Sequence, residues 1–132
     1  MTIEETKLLG AHNLINIAGA WSVASYLGID KEVAIRAITA FQGLPHRLQH
    51  LGTFHGITWV DDAISTTPDS TIAAIHALSP KVDTIIVGGQ DRGVSFNHLG
   101  EVLATSKIKH IILFPDTGEK IKQAISKFVS MD

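Results

Sequence analysis

The chain contains no cysteine, and this absence excludes several classes of site. Disulfide frameworks, thiolate metal centres and thiol nucleophiles all need cysteine. The absence is typical of a reducing compartment, so we expect a cytoplasmic location. An excess of one charge is missing as well, because 11 basic and 13 acidic side chains give a formal net charge of −2. This balance disfavours nucleic-acid binding.

A long hydrophobic run is also missing. The longest apolar stretch, residues 14–27, is interrupted by polar residues such as Asn16 and Ser22, and it is shorter than the ~20 residues that cross a bilayer. The N-terminus carries Glu4 and Glu5 where a signal peptide has a positive region. We therefore expect no membrane span and no export signal.

Length and composition are those of one ordinary folded domain. With 132 residues, 45% of them apolar, the chain can bury a core but is too short for a multi-domain enzyme. The one boundary that the pattern favours lies at Gly43–Pro45. It separates a helical hairpin, residues 1–44, from an α/β part, residues 45–132.

Helical spacing of apolar residues marks the first third of the chain. It predicts a mostly buried helix over Asn13–Leu27, ended by Gly28, and a second helix over Lys31–Phe41 that begins at an Asp30 cap. The two helices are expected to form an antiparallel hairpin. Three aromatic residues on periodic positions are assigned to the core: Trp21, Phe41 and Phe114.

The remainder alternates between strand and helix patterns. A β-hairpin is predicted over Arg47–Phe54 and Ile57–Asp61, and a helix from Thr66-Thr67-Pro68-Asp69 to Ser79-Pro80. Strands at Val82–Val87 and Ile108–Phe114 then alternate with helices at Phe96–Ala104 and Gly118–Val129. The predicted fold is α/β, a Rossmann-like and mostly parallel sheet with helices on both faces, preceded by the helical hairpin and the β-hairpin.

In such a fold the ligand lies beyond the carboxyl ends of the strands. We expect those ends at Asp61-Asp62, Gly88–Gly93 and Pro115–Gly118. Asp61 and Asp62 precede a cluster of hydroxyl residues at a helix start, where an anion is stabilised by free N–H groups. The alternative is that Thr66 or Thr67 only caps the helix and that the aspartates form a solvated loop.

The glycine loop Val87–Gly93 does not have the spacing of a named phosphate motif, since Val94 stands where a P-loop needs lysine. A plain turn and a binding loop both remain open. Arg92 at its tip is the residue that would bind an anion, because a guanidinium forms bidentate hydrogen bonds with a carboxylate or phosphate.

Two further pairs of polar residues share a predicted face. Asn13 and Asn16 are three residues apart on the first helix, and their amides suit a purine edge, although Asn13 alone would also serve as a helix cap. His46 and His50 share a strand face if that segment is extended. Two histidines without a third ligand favour a solvated surface over a metal site.

Four segments in this order resemble the Mur ligases, and most closely the MurD branch of that family. They are His12-Asn-Leu-Ile-Asn16, Gly43-Leu-Pro-His-Arg47, residues 60–71 and a strand that ends in Gly88-Gly-Gln-Asp-Arg92. The resemblance extends over about Leu9–Phe128, and the shared order makes it more specific than any single motif. It concerns the end of the family's central domain and most of its C-terminal domain.

The resemblance implies an ATP-dependent ligase of peptidoglycan synthesis that adds glutamate to UDP-N-acetylmuramoyl-L-alanine through an acyl phosphate. ATP and Mg²⁺ are the implied cofactors, with the metal site outside this fragment. The implied partners are the two substrates and the N-terminal and central domains of the same polypeptide, with no nucleic acid and no membrane. The family's phosphate-binding loop would precede residue 1, so the fragment alone is expected to be inactive.

The resemblance also implies roles for individual residues. Asn13 and Asn16 would contact the adenine, Arg47 the ATP phosphates and Asp62 the ribose. Thr66 and Arg92 would contact the glutamate carboxylates. No residue of the fragment is assigned a catalytic or metal-binding role.

The sequence departs from the family pattern at two positions. Ile64 stands where the family has lysine, and Arg92 replaces a lysine that is common in the glycine loop. The choice between D-glutamate, L-glutamate and another amino acid therefore stays open. Two other functions also remain, a folylpolyglutamate synthase-like ligase and a stand-alone nucleotide- or anion-binding module, although the run Leu44–Arg47 favours the MurD branch.

Overall fold

The structure is a computed structural model that describes residues 1–129. Main-chain contacts divide the chain into two compact units, Met1–Ile64 and Ser65–Asp132. These units are not the predicted family domains, whose boundary at 44/45 stays a prediction. Each unit is described by itself.

The first unit begins with helices. After a short 3₁₀ turn, α1 spans Asn13–Tyr26 and α2 spans Lys31–Ala40, so both predicted helices are confirmed and each ends one residue earlier than predicted. Asp30 caps α2 as predicted, since its carboxylate accepts from Glu32 N at 2.8 Å. The two helices contact each other.

The predicted burial of α1 is wrong. Asn13 is its one buried residue, whereas Ile15 is 76% and Tyr26 is 90% exposed. Phe41 and Phe114, which were assigned to the core, are 47% and 55% exposed. Apolar periodicity shows that a helix or strand has an apolar face, but burial also needs a surface to cover that face.

A β-hairpin completes the first unit. Strands β1 (Gln49–Phe54) and β2 (Ile57–Asp61) are antiparallel, and the predicted turn at His55-Gly56 is confirmed. Both turn residues have positive φ, 51° and 80°, which suits a tight hairpin turn.

Strand β1 starts later than predicted. His46 and Leu48 have positive φ angles of 61° and 45°, so the chain turns around Arg47 before the strand begins at Gln49. The condition for His46 and His50 to share a strand face, an extended segment between them, is therefore not met, because only His50 lies in the strand.

The second unit has the predicted alternating order. It contains α3 (Pro68–Leu78), β3 (Thr84–Gly89), α4 (Asn97–Thr105), β4 (His110–Asp116) and α5 (Gly118–Ile125). Each strand lies two residues later than predicted, and α5 ends four residues earlier. These elements form a mixed α/β arrangement that is compatible with a Rossmann-like fold.

Strands β3 and β4 pair in parallel, with Thr84 opposite His110 and Val87 opposite Leu113. Among residues 1–129, β2 pairs with β1 alone. The expectation that Asp61-Asp62 lies at the same edge as the ends of β3 and β4 involves both units and stays a prediction.

Helices and sheet enclose one core in this unit. Leu99 and Ile121 are each 1% exposed, and Ile72, Ile75 and Leu103 complete the buried cluster. Helices α4 and α5 approach closely at Gly100, where a Cβ atom would lie 2.5 Å from the Ala124 carbonyl carbon. The core fixes the carboxyl ends of β3 and β4, where Gly89 lies opposite Asp116.

Within the described range, every helix falls short of the length and hydrophobicity that crossing a bilayer requires. Across the same residues, His, Asp and Glu side chains form no group of three that could hold a metal ion.

Candidate functional site

The two asparagines of α1 are brought together, as predicted. Asn16 Nδ2 donates to Asn13 Oδ1 at 3.0 Å, and Asn13 Nδ2 donates to the Leu9 carbonyl at 2.8 Å. Asn13 is buried and is the first helical residue, while His12 occupies the cap position, so the cap alternative for Asn13 is wrong. Asn13 thus fixes the preceding segment, and the exposed Asn16 amide is the one that a ligand can reach.

Arg47 lies on a turn that is attached to the end of β2. His46 Nδ1 lies 2.7 Å from Asp61 Oδ2, and Leu48 N donates to Asp62 Oδ1 at 2.9 Å. These two contacts flank Arg47 on both sides. We call this arrangement, formed by His46, Leu48, Asp61 and Asp62, the arginine clamp.

Two further hydrogen bonds strengthen the clamp. Ile64 N donates to the His46 carbonyl at 3.1 Å, and His46 N donates to Gln49 Oε1 at 2.9 Å. The main chain of His46 is therefore held at both its donor and its acceptor. Arg47 itself is exposed, so a fixed turn presents a guanidinium to solvent.

The clamp changes the electrostatics of Asp61. The hydrogen bond with His46 is the largest cause that lowers the pKa of the Asp61 carboxyl, and a second hydrogen bond from Ala63 N at 2.9 Å lowers this pKa further. Both carboxylates accept main-chain hydrogen bonds and so belong to an ordered loop, while the choice between a ligand-binding and a solvated loop stays open.

A cleft of about 450 Å³ lies beside the clamp in the first unit. Its lining comes from residues 7–9, 42–45 and 47–50 and includes Lys7, Arg47 and His50. The segment around Leu8 lies against Gly43, where a Cβ atom would be 3.4 Å from Leu8 Cδ2. We call this feature the basic cleft.

In the second unit, the start of α3 separates the roles of two threonines. Thr67 Oγ1 accepts from Ser70 N at 3.3 Å, and Thr67 N donates to Ser70 Oγ at 3.2 Å, which forms a reciprocal cap. The capping alternative is thus confirmed for Thr67. Thr66 takes no part in the cap and is exposed, so its hydroxyl is available to a ligand.

The glycine loop after β3 is fixed at its base. Gly88 has a φ of 136°, and a Cβ atom there would lie 2.8 Å from the Phe114 carbonyl oxygen, so only glycine fits. The Gly89 carbonyl accepts from Thr117 N at 3.2 Å and from Thr117 Oγ1 at 2.9 Å. Thr117 is buried, and it joins the ends of the two parallel strands.

The tip of the same loop is also held. Asp91 Oδ1 accepts from Gly93 N at 2.9 Å, and Lys120 Nζ donates to Asp91 Oδ2. The Lys120 contact is the largest cause that lowers the pKa of the Asp91 carboxyl. Arg92, between these contacts, is exposed and makes no ion pair among residues 1–129. The loop is therefore an ordered platform for one guanidinium.

The predicted site residues fall into two groups. The first unit holds four of them: Asn13, Asn16, Arg47 and Asp62. The two asparagines contact each other, and Asp62 accepts a hydrogen bond from Leu48 N, next to Arg47. Thr66 and Arg92 lie in the second unit and share no hydrogen bond. Their ligand contacts stay predictions.

Sequence reasoning missed several residues that build these sites. The arginine clamp depends on His46 and Gln49, and the glycine loop depends on Thr117 and Lys120. The partners of each are close in space but, for three of these residues, 15 to 29 positions away in sequence. Proline before His46 was the one local signal of a turn.

A known protein family matches most of the chain. Residues 46–131 match the description "Mur ligase, glutamate ligase domain", which is well over half of the chain. The chain belongs to the Mur ligase family. The resemblance seen in the sequence is thereby confirmed, including its likeness to the C-terminal portion of a MurD-like ligase.

Individual Mur ligases are also similar to this chain in sequence. The chain is 36% identical over 123 residues to the UDP-N-acetylmuramoylalanine--D-glutamate ligase of Shewanella oneidensis. The aligned residues make up 92% of this chain and 28% of that relative. The chain is 38% identical over 122 residues to the UDP-N-acetylmuramoyl-L-alanine--L-glutamate ligase of Salinispora tropica, covering 89% and 27%. The chain thus spans little more than a quarter of the length of these relatives.

Proposed function

We propose that this chain is part of an ATP-dependent ligase that joins glutamate to UDP-N-acetylmuramoyl-alanine in peptidoglycan synthesis. The observation that carries the proposal is the match of residues 46–131 to a glutamate ligase domain. Residues 1–44 would end a central domain and residues 45–132 would begin the C-terminal one. The proposal includes a cytoplasmic location, because ATP and the UDP-linked substrate are nucleotides.

The first unit would hold ATP. The exposed Asn16 amide suits the adenine edge, with Asn13 beside it, and the Asp62 carboxylate suits ribose hydroxyls. Arg47 suits the phosphates, since the clamp presents its guanidinium on a fixed turn. The donor set therefore fits the nucleotide.

In the reaction, the terminal phosphoryl group of ATP would pass to the carboxylate oxygen of the muramoyl-alanine substrate. The amine of glutamate would then attack the resulting acyl phosphate, form the amide bond and release inorganic phosphate. The chain's own residues would orient nucleotide and amine for these steps rather than react. We assign the Mg²⁺ site to the part of the enzyme outside this chain.

The second unit would hold glutamate. Arg92 can grip a carboxylate in two places, and the Asp91–Lys120 contact supports its loop. The Thr66 hydroxyl can donate to the same amino acid, because Thr67 alone serves as the helix cap. Ile64 supplies no charge, so Arg92 would carry more of the neutralisation.

L-Glutamate is a second candidate for the amino acid. Relatives named L-glutamate ligases are 38% identical, and relatives named D-glutamate ligases include chains that are 34%, 36% and 38% identical. These values do not separate the two enantiomers. Both belong in the same assay.

The direct experiment assays the longer protein that carries this chain with ATP, UDP-N-acetylmuramoyl-L-alanine and either glutamate enantiomer. We expect glutamate-dependent phosphate release and a new UDP-linked product with one enantiomer. The 132-residue chain alone should give no turnover. Absence of product with both enantiomers, combined with glutamylation of a folate acceptor, would replace the proposal with the folylpolyglutamate synthase-like alternative.

A further inference from the structure

The basic cleft carries an unusual charge distribution. Its lining includes Lys7, Arg47 and His50 but no aspartate or glutamate. The cleft is open to solvent and has a volume of about 450 Å³, and the nearby Asp62 binds the main chain of Leu48 without lining the cleft. A cleft lined by one sign of charge concentrates the field and attracts the opposite charge.

These basic side chains are not neutralised within the described part of the chain. Lys7 and Arg47 make no ion pair there, whereas Lys109 pairs with Asp83 and Lys120 pairs with Asp91. The cleft therefore offers positive charge and N–H donors to an external anion.

Both walls of the cleft are held in place. On one side, the buried Asn13 side chain donates to the Leu9 carbonyl at 2.8 Å and so holds the main chain two residues after Lys7. On the other side, the arginine clamp fixes the turn that carries Arg47. A site with ordered walls binds an anion at a lower entropic cost than mobile surface lysines do.

We propose that Lys7 and His50 join Arg47 in binding an oligophosphate chain in the basic cleft. Arg47 would grip one phosphate in two places, the Lys7 ammonium would supply a point charge, and a His50 ring N–H would donate a hydrogen bond. The inference rests on the proposed function in one respect, since that function assigns Arg47 to the ATP phosphates. It adds two residues to which neither the sequence nor the family resemblance gave a role.

Titration calorimetry with sodium tripolyphosphate tests this proposal on the chain itself. We expect one binding event that weakens as salt is raised from 50 to 300 mM. Lys7→Ala and His50→Gln should each raise the dissociation constant about three- to tenfold, and Lys7→Arg should restore most of the affinity. Far-UV circular dichroism should stay unchanged, because Lys7 and His50 are exposed.

Lys31→Ala is the matched control, since it removes the same charge from the first unit and Lys31 does not line the cleft. We expect less than a twofold change for this variant. Equal weakening by Lys7→Ala and Lys31→Ala would overturn the proposal, as would absence of tripolyphosphate binding. The proposed ligase function fails separately, by absence of product from the longer protein, so the two failures are distinguishable.

Discussion

His46 Nδ1 lies 2.7 Å from Asp61 Oδ2, across 15 residues of sequence. This contact ties the turn that carries Arg47 to the carboxyl end of β2, and the neighbouring bond from Leu48 N to Asp62 Oδ1 does the same on the other side. A long basic side chain on a flexible segment loses conformational entropy when it binds a ligand. Fixing its main chain lowers the entropy that binding must remove.

The first prediction concerns the pH dependence of Asp61. The fold lowers the pKa of this carboxyl below its ordinary value of about 3.9, chiefly through the His46 hydrogen bond. A carboxyl of this kind stabilises the fold above the ordinary value, and the stabilisation is lost as pH falls through the lowered folded value. The parent should therefore exceed Asp61→Asn in stability near pH 6, and the difference should shrink towards pH 2.5.

Urea unfolding of both proteins at a series of pH values measures this difference. Glu101→Gln, on the exposed side of α4, is the charge-matched control. A stability difference between the parent and Asp61→Asn that is constant over the whole pH range would contradict the role given to the His46 contact.

The second prediction separates the two threonines at the start of α3. Thr67→Ala removes the capping hydroxyl and should lower the free energy of unfolding by about 1 kcal/mol. Thr66→Ala should leave stability within ~0.5 kcal/mol, because Thr66 has no capping bond. In the longer enzyme only Thr66→Ala should raise the KM for glutamate without a loss of stability. The reverse pattern of stabilities would show that the cap is misassigned.

The third prediction concerns Gly88. Gly88→Ala places a methyl group 2.8 Å from the Phe114 carbonyl oxygen and forces alanine to a φ of 136°, so the free energy of unfolding should fall by about 3 kcal/mol. Gly89→Ala is the matched control, since its φ is 135° but no atom lies within 4 Å of its Cβ position. Thermal unfolding should rank Gly88→Ala well below Gly89→Ala. Similar losses would mean that backbone strain alone explains both.

The fourth prediction concerns the glycine loop. Lys120→Gln removes the charged donor from Asp91, so the pKa of Asp91 should rise towards its ordinary value and the loop should open more often. Carboxyl titration by nuclear magnetic resonance and hydrogen exchange at the Gly93 amide measure both effects. Lys122→Gln, two residues further along α5 and therefore on another face of the helix, should change neither. Unchanged exchange in Lys120→Gln would show that the Asp91–Gly93 bond suffices.

The sequence predicted local structure well, because local structure depends on neighbouring residues. Asp30 and Thr67 mark helix starts, and His55-Gly56 marks the hairpin turn, each through chemistry contained within four residues. The order of motifs also predicted the family, since the glutamate ligase match covers residues 46–131.

Long-range features could not be predicted in the same way. The exposure of Phe41 depends on whether a partner surface covers it, which the spacing of apolar residues does not report. The left-handed conformations of His46 and Leu48 depend on contacts with Asp61 and Asp62, which no pattern around residue 46 contains. The side chains that position the site were therefore found from the structure.

Under the proposed function the two units divide the substrates, with the nucleotide at Arg47 and glutamate at Arg92. The most direct measurement is the KM of each substrate in the longer enzyme for Arg47→Ala and Arg92→Ala. Arg47→Ala should raise the KM for ATP by about tenfold or more and leave that for glutamate nearly unchanged, and Arg92→Ala should do the opposite. Equal effects of each variant on both substrates, or no effect of either, would contradict the account.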